Sequence, residues 1–100
     1  MENQEYIING DMAFNNSQFD EALKNYQKAL EIDSNNQYLL NRVGSILIPM
    51  GRIDEALDCF KKAKDLDPDN GDIVFNYGNA CFYAVICAKV FDMFDSFLFL

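Results

Sequence analysis

Residues Ile53–Asn70, IDEALDCFKKAKDLDPDN, repeat a stretch that lies 34 positions earlier, Phe19–Asn36, FDEALKNYQKALEIDSNN. Eight of the 18 aligned positions are identical, among them Asp20/Asp54, Glu21/Glu55, Ala22/Ala56, Leu23/Leu57, Ala29/Ala63 and Asn36/Asn70. Other pairs, such as Tyr26/Phe60 and Ile32/Leu66, keep their shape. Self-similarity at a fixed period of this size constrains the fold more than any single motif. Each unit is too small to bury its own apolar face, so neighbours must stack into a solenoid.

The apolar spacing inside the units is helical. Phe19, Ala22, Leu23, Tyr26, Ala29 and Leu30 form one stripe over Phe19–Ile32, with Asp20 and Glu21 in the first turn to complement the helix dipole. The same stripe recurs over Ile53–Leu66 as Ile53, Ala56, Leu57, Phe60, Ala63 and Leu66. Between and around them the spacing predicts three further helices. Gln4–Phe14 directs Tyr6, Asn9, Gly10 and Ala13 inward, Gln37–Ile48 directs Leu40, Val43, Gly44 and Leu47, and Asp72–Tyr83 directs Val74, Tyr77, Gly78 and Cys81. Gly10, Gly44 and Gly78 are again 34 apart, so a third unit begins in register. A glycine inside a helix is explained by a close-packed neighbour. Asn15-Asn16-Ser17, Asp33–Asn36, Pro49–Arg52 and Asp67–Gly71 supply the turns. At the next expected hairpin stands Val85-Ile86-Cys87-Ala88, without a turn residue. Of the last 19 residues, Phe82–Leu100, 15 are apolar, and Lys89, Asp92, Asp95 and Ser96 form one narrow polar stripe.

Charge and composition narrow the chemistry. Eight lysines and arginines against 16 aspartates and glutamates give a net charge of −8, which opposes binding to nucleic acid and to anionic membrane surfaces. Three charges within the apolar tail argue against a membrane span. The absence of histidine removes Ser-His and Cys-His nucleophile pairs and the commonest metal ligand. Cys59, Cys81 and Cys87 make no Cys-x-x-Cys pair. No catalytic site, metal site or cofactor is expected. Asp65–Asn76 only faintly resembles a calcium loop, with Asn70 at its sixth position and Asn76 at its twelfth, and reads as a turn. The N-terminus has neither the positive start nor the apolar run of a secretory signal, so the expected compartment is the cytoplasm, with reduced thiols.

Taken together, these residues resemble the tetratricopeptide repeat family. That family has a large residue then glycine in the first helix, an alanine opening the second, an aromatic, another alanine and a proline at the exit turn. The second unit carries Val43-Gly44, Leu47, Ala56, Phe60, Ala63 and Pro68, and the first carries Gly10, Ala22, Tyr26 and Ala29, with Ser34 in the proline's place. The third carries Tyr77-Gly78 and then only Phe94. The resemblance implies an all-α, helix-turn-helix repeat solenoid, a right-handed superhelix of about five to six antiparallel helices. Repeats would span residues 3–36, 37–70 and, as an opening helix, 71–84, so that 1–84 is repeat and 85–100 an irregular apolar helix.

The resemblance also implies a function: non-catalytic binding of a protein or peptide, basic or neutral in charge, on the concave face lined by each unit's first helix. Helical spacing puts Phe14, Tyr38, Asn41, Arg42, Ser45, Phe75, Asn79 and Phe82 on that face. Asn79, directly after Gly78, matches an asparagine with which the family often holds a peptide backbone. The sub-type that clamps acidic chaperone C-termini is rejected. That clamp is made of lysines, arginine and asparagines; its places fall on Ile7, Asp11, Arg42, Asp72 and Asn76, none of which has the required type in its required place, and two of them are acidic. An alternative is a structural end or truncated piece of a longer array that associates with itself through Val85–Leu100.

Overall fold

Three- and four-residue apolar spacing closes into helices along the whole chain. A computed structural model describes residues 2–98, with side-chain surroundings for residues 3–96. Five helices follow one another: α1 Glu2–Asn15, α2 Phe19–Ile32, α3 Gln37–Leu47, α4 Ile53–Leu66 and α5 Gly71–Leu98. Short connections force neighbours to run antiparallel. α1 pairs with α2 and α3 with α4, while α2 to α3 and α4 to α5 stack the hairpins.

Both hairpin turns use one device. Ser17 and Gly51 hold left-handed φ values of 58° and 79°. The next residue closes back over the turn: Gln18 N–H donates to the Ala13 carbonyl at 2.8 Å, and Arg52 N–H to the Leu47 carbonyl at 2.9 Å. This is the Schellman closure, and it needs the left-handed residue between helix and bond. The exit turns also repeat. Asn36 and Asn70 cap α3 and α5, accepting from the Leu39 N–H at 3.2 Å and the Asp72 N–H at 3.1 Å. Their amides donate to Asp33 and Asp67 at 3.2 Å each, so the acidic stretch after α4 is a capped turn.

The core is built where a glycine meets a ring. A methyl added at Gly10 would lie 2.6 Å from Tyr26, and one at Gly44 would lie 2.7 Å from Phe60. Both rings are fully buried, as are Ala22, Ala29, Ala56 and Ala63, the small residues that let the helices close. α3 is covered on two sides, so Leu39 and Ile46 are buried beside the expected Leu40, Val43 and Leu47. Some inward assignments differ from the sequence reading. Asn9 is exposed on the outer side of α1. Leu66 is 43% exposed because it sits in the last turn of α4, past its neighbours.

The third unit departs most. The hairpin position 34 residues after Gly51 is Val85. A β-branched side chain does not tolerate the left-handed conformation, and no break occurs there. α5 continues for 28 residues. Residue 84 therefore marks a change of surroundings, not of backbone. In the first half Ile73 and Ala80 are buried and Tyr77 and Cys81 half-buried. Val74 is exposed and Gly78 has nothing within 4 Å of its missing methyl, contrary to the expected inward face, because among the described residues no second helix returns to cover them. Beyond Ala84 every described side chain is exposed. By length and composition Gly71–Ser96 could cross a membrane. Its first half, however, is packed into the solenoid, and its free half carries Lys89, Asp92 and Asp95. Of Val85–Leu100, Phe99 and Leu100 lie outside the described residues.

The three glycines make an internal control. Gly44→Ala is expected to lower stability by about 1–3 kcal/mol through overpacking against Phe60. Gly78→Ala is expected to raise it by up to about 1 kcal/mol through helix propensity. Thermal melts of the two single variants check the opposite signs. Ser17→Gly should stabilise by roughly 0.5–1 kcal/mol by relieving the left-handed φ, read in the same melts.

Candidate functional site

The side expected to be concave is that of the units' first helices, α1, α3 and α5, and α3 carries four of the residues assigned to it. Residues one helical turn apart on α3 face the same way, which brings Tyr38, Asn41, Arg42 and Ser45 together. With Gln37, Asn70, Asp72, Ile73, Phe75 and Asn76 they line an open groove of about 420 Å³ between α3 and α5. The Asn76 amide donates to the Asn41 side-chain oxygen at 3.0 Å, which ties the two helices across the groove floor. The Ser45 hydroxyl donates to the Asn41 carbonyl at 2.9 Å, one turn back on its own helix.

Tyr38 and Arg42 of this lining belong also to a polar cluster around Asp11. Its carboxylate accepts hydrogen bonds from the hydroxyls of Tyr26 and Tyr38, the latter at 2.9 Å. Arg42 Nε donates to the Tyr38 hydroxyl at 3.2 Å and lies 4.0 Å from Asp11. The guanidinium stacks 4.5 Å from the Phe14 ring centre and 5.3 Å from that of Tyr38. Such a sandwich holds a cation without removing its in-plane donors. Burial raises the phenol pKa of both Tyr26 and Tyr38, and for Tyr26 the Asp11 hydrogen bond adds to it. Burial works against the charge of Arg42. The Tyr38 hydroxyl, then Tyr26 and Asp11, more than offset this, so its pKa is raised.

Of the residues assigned from sequence, Tyr38, Asn41, Arg42, Ser45 and Phe75 line this groove. Phe14 lies at its edge beneath Arg42. Asn79 and Phe82 are exposed further along α5 and do not line it. Gln37, Asn70, Asp72 and Ile73 belong to the lining without having been assigned to the face. The Asn36/Asn70 identity, read from sequence as part of a turn, belongs to a helix cap, and a cap at the mouth of a groove is part of its wall. Helical spacing also places Asp11 on the concave face, but its bonds to Tyr26 and Tyr38 leave no sequence signal, because those partners stand 15 and 27 residues away in no periodic relation. Among the described residues no group of three or more His, Cys, Asp or Glu could hold a metal ion.

A family model for the tetratricopeptide repeat matches residues 13–74. Solved structures of the same architecture are similar along most of the chain. The crystal structure of MamA protein has 28% identity and a TM-score of 0.76, over 82% of this chain and 45% of that one. The Sgt2 TPR domain from Aspergillus fumigatus has 22% identity and a TM-score of 0.76, over 81% of this chain and 54% of that one. The TPR2B domain of yeast Sti1, solved as a complex with pHsp70, has 19% identity and a TM-score of 0.80, over 95% of this chain and 76% of that one. The chain thus spans about half the length of the first two. None of the curated proteins matches it in sequence.

The Asp11 cluster has a pH signature. Tyr26→Phe is expected to lower stability by about 1 kcal/mol at neutral pH, the value of one hydrogen bond. The Tyr26 pKa is raised above the ordinary phenol value of 10.0, so its contribution is complete below that pH and is lost as the pH rises above it. Urea melts at pH 8 and pH 10.5 should therefore show a smaller alkaline loss in Tyr26→Phe than in the parent chain.

Proposed function

The chain belongs to the tetratricopeptide repeat family, and we propose that it works as a non-catalytic interaction module that holds a peptide segment of a partner protein in its concave groove. The fold itself is one of protein interaction, as in the TPR domains it resembles. The observation that carries the groove reading is the chemistry of its lining. Amides from Asn41 and Asn76 offer paired donors and acceptors for a peptide backbone, and Tyr38 and Phe75 flank them with ring surface. Phe75 is 69% exposed, an aromatic held in water beside hydrogen-bonding groups.

Charge selects the occupant. Asp72 stands in the lining and Asp11 behind Tyr38 and Arg42, within a chain of net charge −8. The charge of Arg42 is offset by Asp11, 4.0 Å away. A neutral or basic segment fits this field, and an acidic C-terminus does not. Asn79 and Phe82 extend the face along α5 for a longer segment.

A second reading is favoured by a separate observation. The apolar half of α5 beyond Ala84 is exposed throughout its described length. Self-association through that half covers it, whether or not the groove is filled.

Selection from a random peptide library, followed by fluorescence anisotropy, tests the groove. Asn41→Ala and Phe75→Ala should each weaken the selected peptide about tenfold, roughly 1.4 kcal/mol, with neutral or basic sequences enriched. Unchanged affinity in both variants moves the site off the concave face.

A further inference from the structure

Along α5 the positions 73, 76, 80, 83, 87, 90 and 94 alternate steps of three and four, the spacing of a helix-pairing seam. The first of them, Ile73, Asn76 and Ala80, meet the solenoid: Ile73 and Ala80 are buried, and Asn76 is bonded to Asn41. The later ones, Tyr83, Cys87, Val90 and Phe94, continue the seam into solvent, with Ile86, Phe91 and Met93 on its flanks. Lys89, Asp92 and Ser96 fall away from it, at positions that a paired helix leaves in water, while Asp95 lies at its rim beside Phe91 and Phe94.

The geometry points to a second copy of this chain as the occupant, its own free half of α5 lying antiparallel on this seam. This inference rests on the self-association reading above and gives it a direction. The area fits. Tyr83, Val90, Phe91 and Phe94 are 48%, 49%, 67% and 65% exposed. With aromatic side chains at roughly 150–250 Å² each, the seam and its flanks offer on the order of 600 Å² per copy. Full cover of the seam and flanks in both copies buries at most about 1,200 Å², which reaches the lower edge of stable specific interfaces. The direction follows from the solenoid. The side of α5 that is bare beyond Tyr83 is the side that α3 and α4 cover before it. In a parallel pair the two solenoids occupy the same space at the same end. An antiparallel pair sends them to opposite ends and limits the overlap to the free halves, where small Cys87 and Val90 of one copy receive the Phe94 ring of the other. Each copy carries eight net negative charges, so the pair tightens as salt screens them.

Analytical ultracentrifugation of the whole chain is the first measurement. A dimer is expected, tighter at 0.5 M than at 0.05 M salt, and Val90→Glu should return it to monomer with the helical melt retained. A monomer at all concentrations overturns both the self-association reading and the antiparallel pair. So does a chain that binds neutral phosphatidylcholine vesicles through α5 as a monomer. Direction is read separately. Spin labels at Asn79→Cys, in a chain with Cys59→Ala, Cys81→Ala and Cys87→Ala, should lie about 30 Å apart or more, because some 20 residues at about 1.5 Å each separate the two positions along the pair. Labels within about 20 Å overturn the antiparallel arrangement and leave self-association standing. The unmodified chain gives an independent reading. Mild oxidation should join no Cys87 to its counterpart, whereas a dimer linked Cys87 to Cys87 indicates parallel helices and overturns the proposal.

Discussion

Everything in this molecule depends on a ring seated on a bare backbone. Tyr26 lies over Gly10 and Phe60 over Gly44, too close for even a methyl group between them. This contact sets how near the two helices of a hairpin approach, and therefore which alanines suffice to fill the remaining space. It also sets the period. Glycine and ring must recur together, at a fixed separation, with a turn of fixed handedness between them, and the chain does this twice. The third glycine, Gly78, has its ring in the sequence, Phe94, but α5 runs on without a turn between them, so the ring does not return to the glycine.

The same contact does different work in the two units. Phe60 ends in hydrocarbon. Tyr26 carries its hydroxyl through to Asp11, which also takes the Tyr38 hydroxyl from the next unit. Packing between α1 and α2 is thereby linked to the orientation of α3, and through Tyr38 to the placement of Arg42. A buried ring thus positions one wall of a groove it does not touch. The two surfaces of the chain then differ sharply in kind. The groove is lined with amides, hydroxyls and carboxylates suited to a backbone, while the free half of α5 is hydrocarbon with most of its charges turned away.

Much of this was legible in the residues alone, for a definite reason. The repeat writes each structural contact twice, so the copies Phe19–Asn36 and Ile53–Asn70 identify helices, turns and core stripes by agreement. What was not legible is whatever occurs once. Asp11 has no counterpart, since Ser45 stands 34 residues on, and its three partners are separated by irregular distances. Val74 and Gly78 were placed inward by periodicity, which describes a face but cannot say whether a neighbour exists to cover it. The continuity of α5 sits between these cases. The lack of a turn residue at 85–88 was visible, but its meaning needed φ. Ser17 and Gly51 show that the third of these equivalent positions must be left-handed, and Val85 cannot be.

The unbroken α5 has a consequence for how the chain melts. Starting a helix is the improbable step, and extending one is nearly neutral per residue. In α5 the start is supplied by the half docked on α3 and α4, so the free half exists as a helix by propagation alone. Val85, Ile86, Val90, Phe91 and Phe94 are not strong helix formers. Helicity along α5 is therefore graded, held at the docked end and decaying toward Leu98, with no cooperative boundary between order and coil. Unpaired, this arm is expected to shorten and lengthen with temperature and solvent, and a partner on its seam to hold it at full length.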